Sequence, residues 1–136
     1  MRILIIGGNR FVGKKLTKRL IKESHNVTIL NRSGTGPQKA FIVKFDRNNK
    51  SDIKSFNFNE FDCIVDMCLF KVEQFELIKD LIPTNTNYIF VSSGAVDYID
   101  TNSFGDYAIE KMDVERALSQ TNLNYKIIKP SYIVGM

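Results

Sequence analysis

The sequence predicts a doubly wound α/β domain, with six parallel strands in the order 3-2-1-4-5-6 and helices on both faces of the sheet. Three observations carry this expectation. Short apolar runs alternate with segments of helical period along all 136 residues. The runs are rich in Ile, Val and Phe on both faces, as strands are when a parallel sheet is covered on both sides. A glycine-rich turn joins the first run to the first helical segment, a place where backbone N–H groups and the helix dipole favour a phosphate.

Each element follows from its residues. "RILIIG" (2–7) is a buried strand ending in glycine. Residues 10–23 carry Val12, Leu16 and Leu20 at four-residue spacing, which predicts an amphipathic helix packed through those side chains. Its other side bears Lys14, Lys15, Lys18, Arg19 and Lys22. "NVTILN" (26–31) is the second strand, "RSGTGPQK" is turn material, and "AFIVKFD" (40–46) is the third strand. No helix fits between strands two and three. A short helix is expected near 51–55. "FDCIVDMC" (61–68) is the fourth strand. A helix over 71–82 places Phe75, Ile78 and Ile82 on one face, and Pro83 stops it. "NYIFVSS" (87–93) is the fifth strand, a helix runs from about 105 to 120, and "YKIIKP" (125–130) is the sixth strand.

The bulk numbers bound the function. An apolar fraction of 43% and a charged fraction of 25% belong to a globular chain, here one domain over 1–136. A net charge of +4 is mild and argues little for an anionic partner. No run reaches the length of a membrane span, and the N-terminal "ILII" is too short for a signal-peptide core. The expectation is a cytoplasmic protein with no membrane partner. Cys63 and Cys68 lie five apart in a predicted strand, on opposite faces and roughly 16 Å apart if extended. Free thiols are expected, because a disulfide needs Cα atoms within about 7 Å. His25 reads as a turn residue and not as a metal ligand.

The opening turn, "IIGGNRFVGKKL" (5–16), is not G-x-G-x-x-G. It reads G-x-x-R-x-x-G over Gly7, Arg10 and Gly13. Gly7 permits the tight turn, and Gly13, one helical turn in, allows helix and strand to pack closely. Arg10 stands where a third glycine often lies, and suggests a side chain lying along cofactor phosphates.

"GGNRFVGKKL" resembles the opening of the extended short-chain dehydrogenase/reductase superfamily, in its NAD-dependent epimerase/dehydratase branch. More narrowly it resembles the members whose turn reads G-G-T-R-F-x-G, with Asn9 here in place of threonine. The resemblance implies a Rossmann fold that binds NAD or NADP, with Gly7, Asn9, Arg10, Phe11, Val12 and Gly13 along the cofactor. At the end of the second strand NAD-binding relatives carry an acidic residue for the ribose. This chain has Asn31 and Arg32. An arginine there suits a 2′-phosphate, so the cofactor leans to NADP. "FDRNN" (45–49) resembles the family's G-D-R segment, which implies an adenine contact for Asp46. The fourth strand ends "VDMCLF", which implies backbone and packing contacts from Met67 and Cys68.

Later motifs imply the chemistry. "FVSSGAVDY" resembles the family's S-S-x-x-V-Y segment and assigns Ser93 as the residue that orients substrate; Asp97 intervenes before Tyr98. "GDYAIEKMDVE" (105–115) carries Y-x-x-x-K, and Tyr107 and Lys111 four apart share one helix face. Tyrosine at a pKa of about 10 is a poor base at neutral pH, and a nearby ammonium stabilises its phenolate. The resemblance therefore implies Tyr107 as acid/base, Lys111 as its partner and ribose ligand, and hydride transfer to or from nicotinamide. "YKIIKPSYIVG" resembles the family's R-P-x-x-x-x-G, with Lys129 for arginine.

The expected function is the NAD(P)-binding domain of a nucleotide-sugar epimerase, dehydratase or reductase, an oxidoreductase or isomerase. In the family a C-terminal substrate region follows R-P-x-x-x-x-G, and this chain stops at Gly135-Met136. The expectation is that the substrate region is absent, that turnover by this chain alone is incomplete, and that the uncovered sixth strand invites self-association. The alternative is a truncated dinucleotide-binding module without catalysis. A third and least favoured reading makes the basic stripe of the first helix an RNA surface, since relatives of this branch have been tied to RNA; such lysines usually form a solvated face.

Overall fold

The computed structural model describes residues 1–7, 11–92 and 106–130, and of Phe11 only the backbone. Ten regular elements follow one another: β1 (Arg2–Ile6), α1 (Phe11–Lys22), β2 (Asn26–Asn31), β3 (Phe41–Lys44), α2 (Lys50–Ser55), β4 (Cys63–Asp66), α3 (Val72–Ile78), β5 (Asn87–Val91), α4 (Asp106–Ser119) and β6 (Asn124–Ile128). The strands form one parallel sheet in the order β3-β2-β1-β4-β5-β6, the expected doubly wound arrangement.

The sheet divides the core in two. On one face Ile3, Ile5, Val27, Ile29, Cys63 and Val65 pack against Leu16, Leu20 and Ile21 of α1. On the other, Leu4, Ile6, Ile64 and Phe90 meet Ile53 of α2, Phe75 and Ile78 of α3, and Val114 and Leu118 of α4. Alternate residues of β1 thus serve opposite faces, and all but Arg2 are buried.

Two helices differ from expectation in instructive ways. In α1 the deepest positions are Gly13 and Thr17, whose hydroxyl donates to the Gly13 carbonyl at 2.8 Å. Val12 is 38% exposed, so it does not belong to the packed stripe. Gly13 and Thr17 lie one helical turn apart, so two small residues are the buried positions of this helix, with Leu16 and Leu20 partly buried beside them. The segment expected as one helix over 71–82 is α3 followed by a 3₁₀ turn over Lys79–Leu81. Gln74 caps its start, accepting from the backbone N–H of Phe70 (2.9 Å) and Lys71 (3.2 Å). Ile82 is still buried beyond the turn.

The short helix near 51–55 forms as α2. Asn49 caps it by accepting from the Asp52 N–H, and Asp52 accepts from the Asp46 N–H at 2.9 Å. Four phenylalanines, Phe45, Phe56, Phe58 and Phe61, stack edge-to-face and face-to-face behind it. That aromatic corner ties the short β3 to the body of the domain. Cys68 lies two residues past the end of β4 instead of within it, and both cysteines are free thiols.

Candidate functional site

The chain leaves β1 through α1 on one face and leaves β4 through α3 on the other. The two strands are neighbours, with Ile6 opposite Asp66. Their C-terminal ends therefore diverge and open a crevice, which is where open α/β sheets bind ligands.

Gly7 forms the floor of that crevice. Its φ is +90°, and a Cβ there would lie 3.0 Å from both Cβ and Sγ of Cys68. Only glycine combines that backbone conformation with that space. Its N–H donates to the Leu30 carbonyl at 2.8 Å, which ties the turn to β2. A glycine at the end of the first strand suits the close approach of a diphosphate to the backbone, and the residues present fit a dinucleotide. Gly8, Asn9 and Arg10 lie outside the described residues. Val12 and Gly13 lie in the first turn of α1.

The neighbouring strand ends supply the other predicted positions. Asn31 engages its side chain in its own turn: Nδ2 donates to the Thr35 carbonyl at 2.7 Å, and Oδ1 accepts from the Gly34 N–H at 2.8 Å. It shapes the loop after β2, and Arg32 beside it is exposed. Asp46 is half-buried and its Oδ1 accepts from the Asn48 N–H at 2.9 Å. The Met67 N–H donates to the Ile6 carbonyl at 3.0 Å, and its side chain packs on the α1 face of the core. Burial, and then the charge of Asp66, pushes the Cys68 thiol up, which makes it a poor nucleophile.

Tyr107 and Lys111 both lie on α4, and they are unlike in setting. Tyr107 is 44% exposed, whereas Lys111 is 3% exposed. The Lys111 Nζ donates to the Leu69 carbonyl (2.8 Å) and the Val91 carbonyl (3.3 Å). It sits 4.7 Å from the ring centre of Phe70, 5.0 Å from Phe90 and 5.9 Å from Tyr107. The pair therefore meets ammonium over ring, at the C-terminal ends of β4 and β5. Burial brings the Lys111 pKa down to about 8, against the pull of Asp66 and Cys68. Ser93, Asp97 and Tyr98 lie outside the described residues. Adjacent Ser92 donates to Glu115 at 2.9 Å, and Glu115 also pairs with Lys129 at 3.1 Å, so this lysine anchors the end of β6 to α4.

Sequence reasoning missed a buried cluster beside this pair. Arg47 Nη1 and Nη2 donate to the two oxygens of Asp66 at 2.7 and 3.0 Å, and the Tyr88 hydroxyl donates to Asp66 at 2.6 Å. Burial opposes the charge of Arg47, and Asp66 more than offsets it, so the guanidinium is held above its ordinary pKa. Burial and then Asp66 raise the Tyr88 phenol. The available signal was an aspartate ending "CIVD", a strand buried along its whole length. A carboxylate there demands a cation.

Two cavities among the described residues lie away from the crevice. One of about 320 Å³ is lined by Lys50, Ile53, Lys54, Phe56, Leu77 and Leu81. The other, about 200 Å³, opens at the N-terminal strand ends beside Met1, Cys63 and Asn124. Among the described residues no helix is long and apolar enough to cross a membrane.

Comparison with known proteins agrees with this geometry. The sequence pattern of the NAD dependent epimerase/dehydratase family matches residues 3–91. The chain is 29% identical to the chloroplast stem-loop binding protein of 41 kDa b of Arabidopsis thaliana over 164 aligned positions, which cover 98% of this chain and 42% of that protein. Among solved structures it resembles a UDP-glucose 4-epimerase at a TM-score of 0.76 and 19% identity, over 100% of this chain and 53% of that one. It also resembles a UDP-glucose 4-epimerase of Thermus thermophilus solved in complex with NAD, at a TM-score of 0.71 and 17% identity, over 95% and 54%. The chain thus spans less than half of the curated relative and about half of these structures.

Proposed function

The chain belongs to the NAD dependent epimerase/dehydratase family, and from that premise we propose that it is the dinucleotide-binding domain of a nucleotide-sugar epimerase, dehydratase or reductase. The observation that carries the reading is the meeting of two features at the C-terminal ends of the central strands. Gly7, at φ +90° with no room for a Cβ, floors the crevice between β1 and β4. Lys111 reaches the ends of β4 and β5 from α4.

In this reading Gly7, Asn9, Arg10, Phe11, Val12 and Gly13 border the diphosphate. Asp46 lies toward the adenine, Asn31 and Arg32 toward the adenosine ribose, and Met67 and Cys68 beneath the remainder. Arg32 leans the choice toward NADP, because an exposed guanidinium pairs with a 2′-phosphate that NAD lacks. When bound, the nicotinamide supplies the hydride acceptor or donor. Tyr107 moves the proton at the substrate oxygen, Ser93 orients that oxygen, and Lys111 is the electrostatic partner of Tyr107. Lys111 also reaches the nicotinamide ribose.

Calorimetric titration with NADP⁺ and NAD⁺ tests the cofactor assignment. Heat of binding is expected with at least one, and none with either at millimolar concentration removes it. Assay against a panel of nucleotide sugars, with Tyr107→Phe as control, then separates the enzyme from a dinucleotide-binding module. Turnover lost in Tyr107→Phe supports the enzyme; binding without turnover supports the module.

A second reading is favoured by a specific observation. Lys14, Lys15, Lys18, Arg19 and Lys22 are all exposed on α1, and the Arabidopsis relative is named for stem-loop binding. Gel-shift titration of an RNA stem-loop at two salt concentrations tests it. Salt-sensitive binding weakened by charge reversal at Lys15 and Lys18 supports it, and no shift removes it.

A further inference from the structure

Buried ion pairs are weak contributors to stability, and an apolar pair of similar volume often serves as well or better. The Arg47–Asp66 pair is almost wholly buried, at 8% and 0% side-chain exposure. The Arg47 Nε–H faces no partner among the described residues. Such a cluster calls for a reason other than packing.

The geometry supplies one. Asp66 ends β4, Tyr88 lies in β5, and Arg47 comes from the loop between β3 and α2. They converge on one carboxylate. Its Oδ2 accepts from Arg47 and Tyr88, and its Oδ1 accepts from Arg47 and, at 3.4 Å, from the Cys68 N–H. That last bond pins the turn after β4, which is further held by Arg47 Nη1 against Cys68 Sγ at 3.5 Å. Leu69 is the next residue of this turn, and its carbonyl receives Lys111. Lys111 itself forms no ion pair with a described residue.

We propose that Arg47 and Asp66 are positioning residues for Lys111: the guanidinium occupies the carboxylate, and the pinned turn offers the amine a backbone carbonyl in place of a counter-ion. The proposal rests on reading Lys111 as the partner of Tyr107. Its chemical consequence is that both forms of Lys111 are housed. The two carbonyls satisfy both N–H groups of a neutral amine, and the faces of Phe70 and Phe90 favour the ammonium. The groups whose charges bear on it are Asp66 from β4, Cys68 from the turn, Arg47 from the loop and Glu115 from α4, with the Tyr107 ring on the same helix. Asp66, Cys68 and Glu115 favour the charged form, Arg47 opposes it, and burial outweighs them.

The test uses protein labelled with ¹³C at lysine Cε, titrated by NMR. The Lys111 resonance is the one missing from Lys111→Met. In the wild type its midpoint is expected at about 8, below the ordinary lysine value of 10.5. In Arg47→Met the freed carboxylate faces the ammonium, and the midpoint is expected to rise by about one pH unit or more. In Tyr88→Phe, which keeps the ion pair and removes one hydrogen bond, a rise of a few tenths is expected. In the double variant Arg47→Met, Asp66→Asn both charges are gone, and the midpoint is expected to return to within about half a pH unit of the wild type.

A purely structural role predicts another pattern, because an opened pocket moves every variant toward 10.5. A double variant near 10.5, or an unchanged midpoint in Arg47→Met, overturns the proposal. If Arg47→Met does not fold, Tyr88→Phe decides: a rise of a few tenths supports the proposal, and an unchanged midpoint or one near 10.5 overturns it. Titrating wild-type protein with NADPH and NADH by fluorescence from pH 6 to 10 separates this proposal from the reading beneath it. Midpoints that move as expected, with a cofactor affinity indifferent to the Lys111 midpoint or no binding at all, keep the positioning role and remove the functional one.

Discussion

Replacing Lys111 by methionine should make stability respond less to pH, with a sign and a window fixed by its surroundings. Burial lowers the lysine from 10.5 to about 8. A difference of that size corresponds to about 3 kcal/mol between charged and neutral forms. Below pH 8 both folded and unfolded chains carry the charge, and the folded state bears the whole penalty. Between pH 8 and 10.5 the folded chain releases its proton while the unfolded chain keeps it. The unfolded state then binds more protons, so stability rises with pH through this window. Above 10.5 both forms are neutral and the penalty is gone. Methionine removes the penalty at every pH, but it leaves the Leu69 and Val91 carbonyls without their donor, at about 1 kcal/mol each. The variant should therefore be more stable than the wild type by about 1 kcal/mol at pH 7 and less stable by about 2 kcal/mol at pH 10.5. Urea unfolding of both proteins at pH 7, 8, 9 and 10 gives the difference directly, and other titrating groups cancel. A difference that stays constant across this range, or grows in favour of the variant as pH rises, would refute the reasoning.

Three further outcomes are expected. Gly7→Ala forces a non-glycine residue to φ +90° and drives a Cβ to 3.0 Å from Cys68; thermal melts should show a loss of about 1–3 kcal/mol. Thr17→Val keeps the shape of a fully buried side chain but removes its 2.8 Å hydrogen bond to the Gly13 carbonyl, and chemical denaturation should register about 1 kcal/mol. Arg32→Ala should weaken NADP⁺ by roughly 10- to 100-fold and leave NAD⁺ nearly unchanged in calorimetry; equal weakening of both would remove the lean toward NADP.

The strand order was legible because the strands are apolar on both faces, and that pattern belongs to a sheet covered on both sides. Their ends were less so. "FDCIVDMC" reads as eight strand residues, yet pairing stops at Asp66, because there the chain turns to let Cys68 fill the space beneath Gly7. The contact line of α1 was misread at Val12 for a related reason. Periodicity marks the large apolar side chains, and this helix buries a glycine and a threonine most deeply. The Tyr107–Lys111 spacing was legible as one helix face, but not the depth of Lys111. That depth comes from Phe70 and Phe90, which other elements deliver. Arg47 and Asp66 were invisible as a pair, being 19 positions apart on separate elements, although a carboxylate inside a buried strand announces that some cation must come to it.

The central adjacency of β1 and β4 also orders events during synthesis. Gly7 leaves the ribosome 61 positions ahead of Cys68, which packs against it. At about 5–20 residues per second the interval is roughly 3–12 s. Once β2 has emerged, β1 has it on one side and an open edge on the other, and Leu4 and Ile6 still await the helices of the second face. A nucleotide therefore cannot template the early chain, because the crevice acquires its second wall only when β4 docks. The nascent segment is an apolar strand whose second edge stays open to other chains until β4 pairs with it.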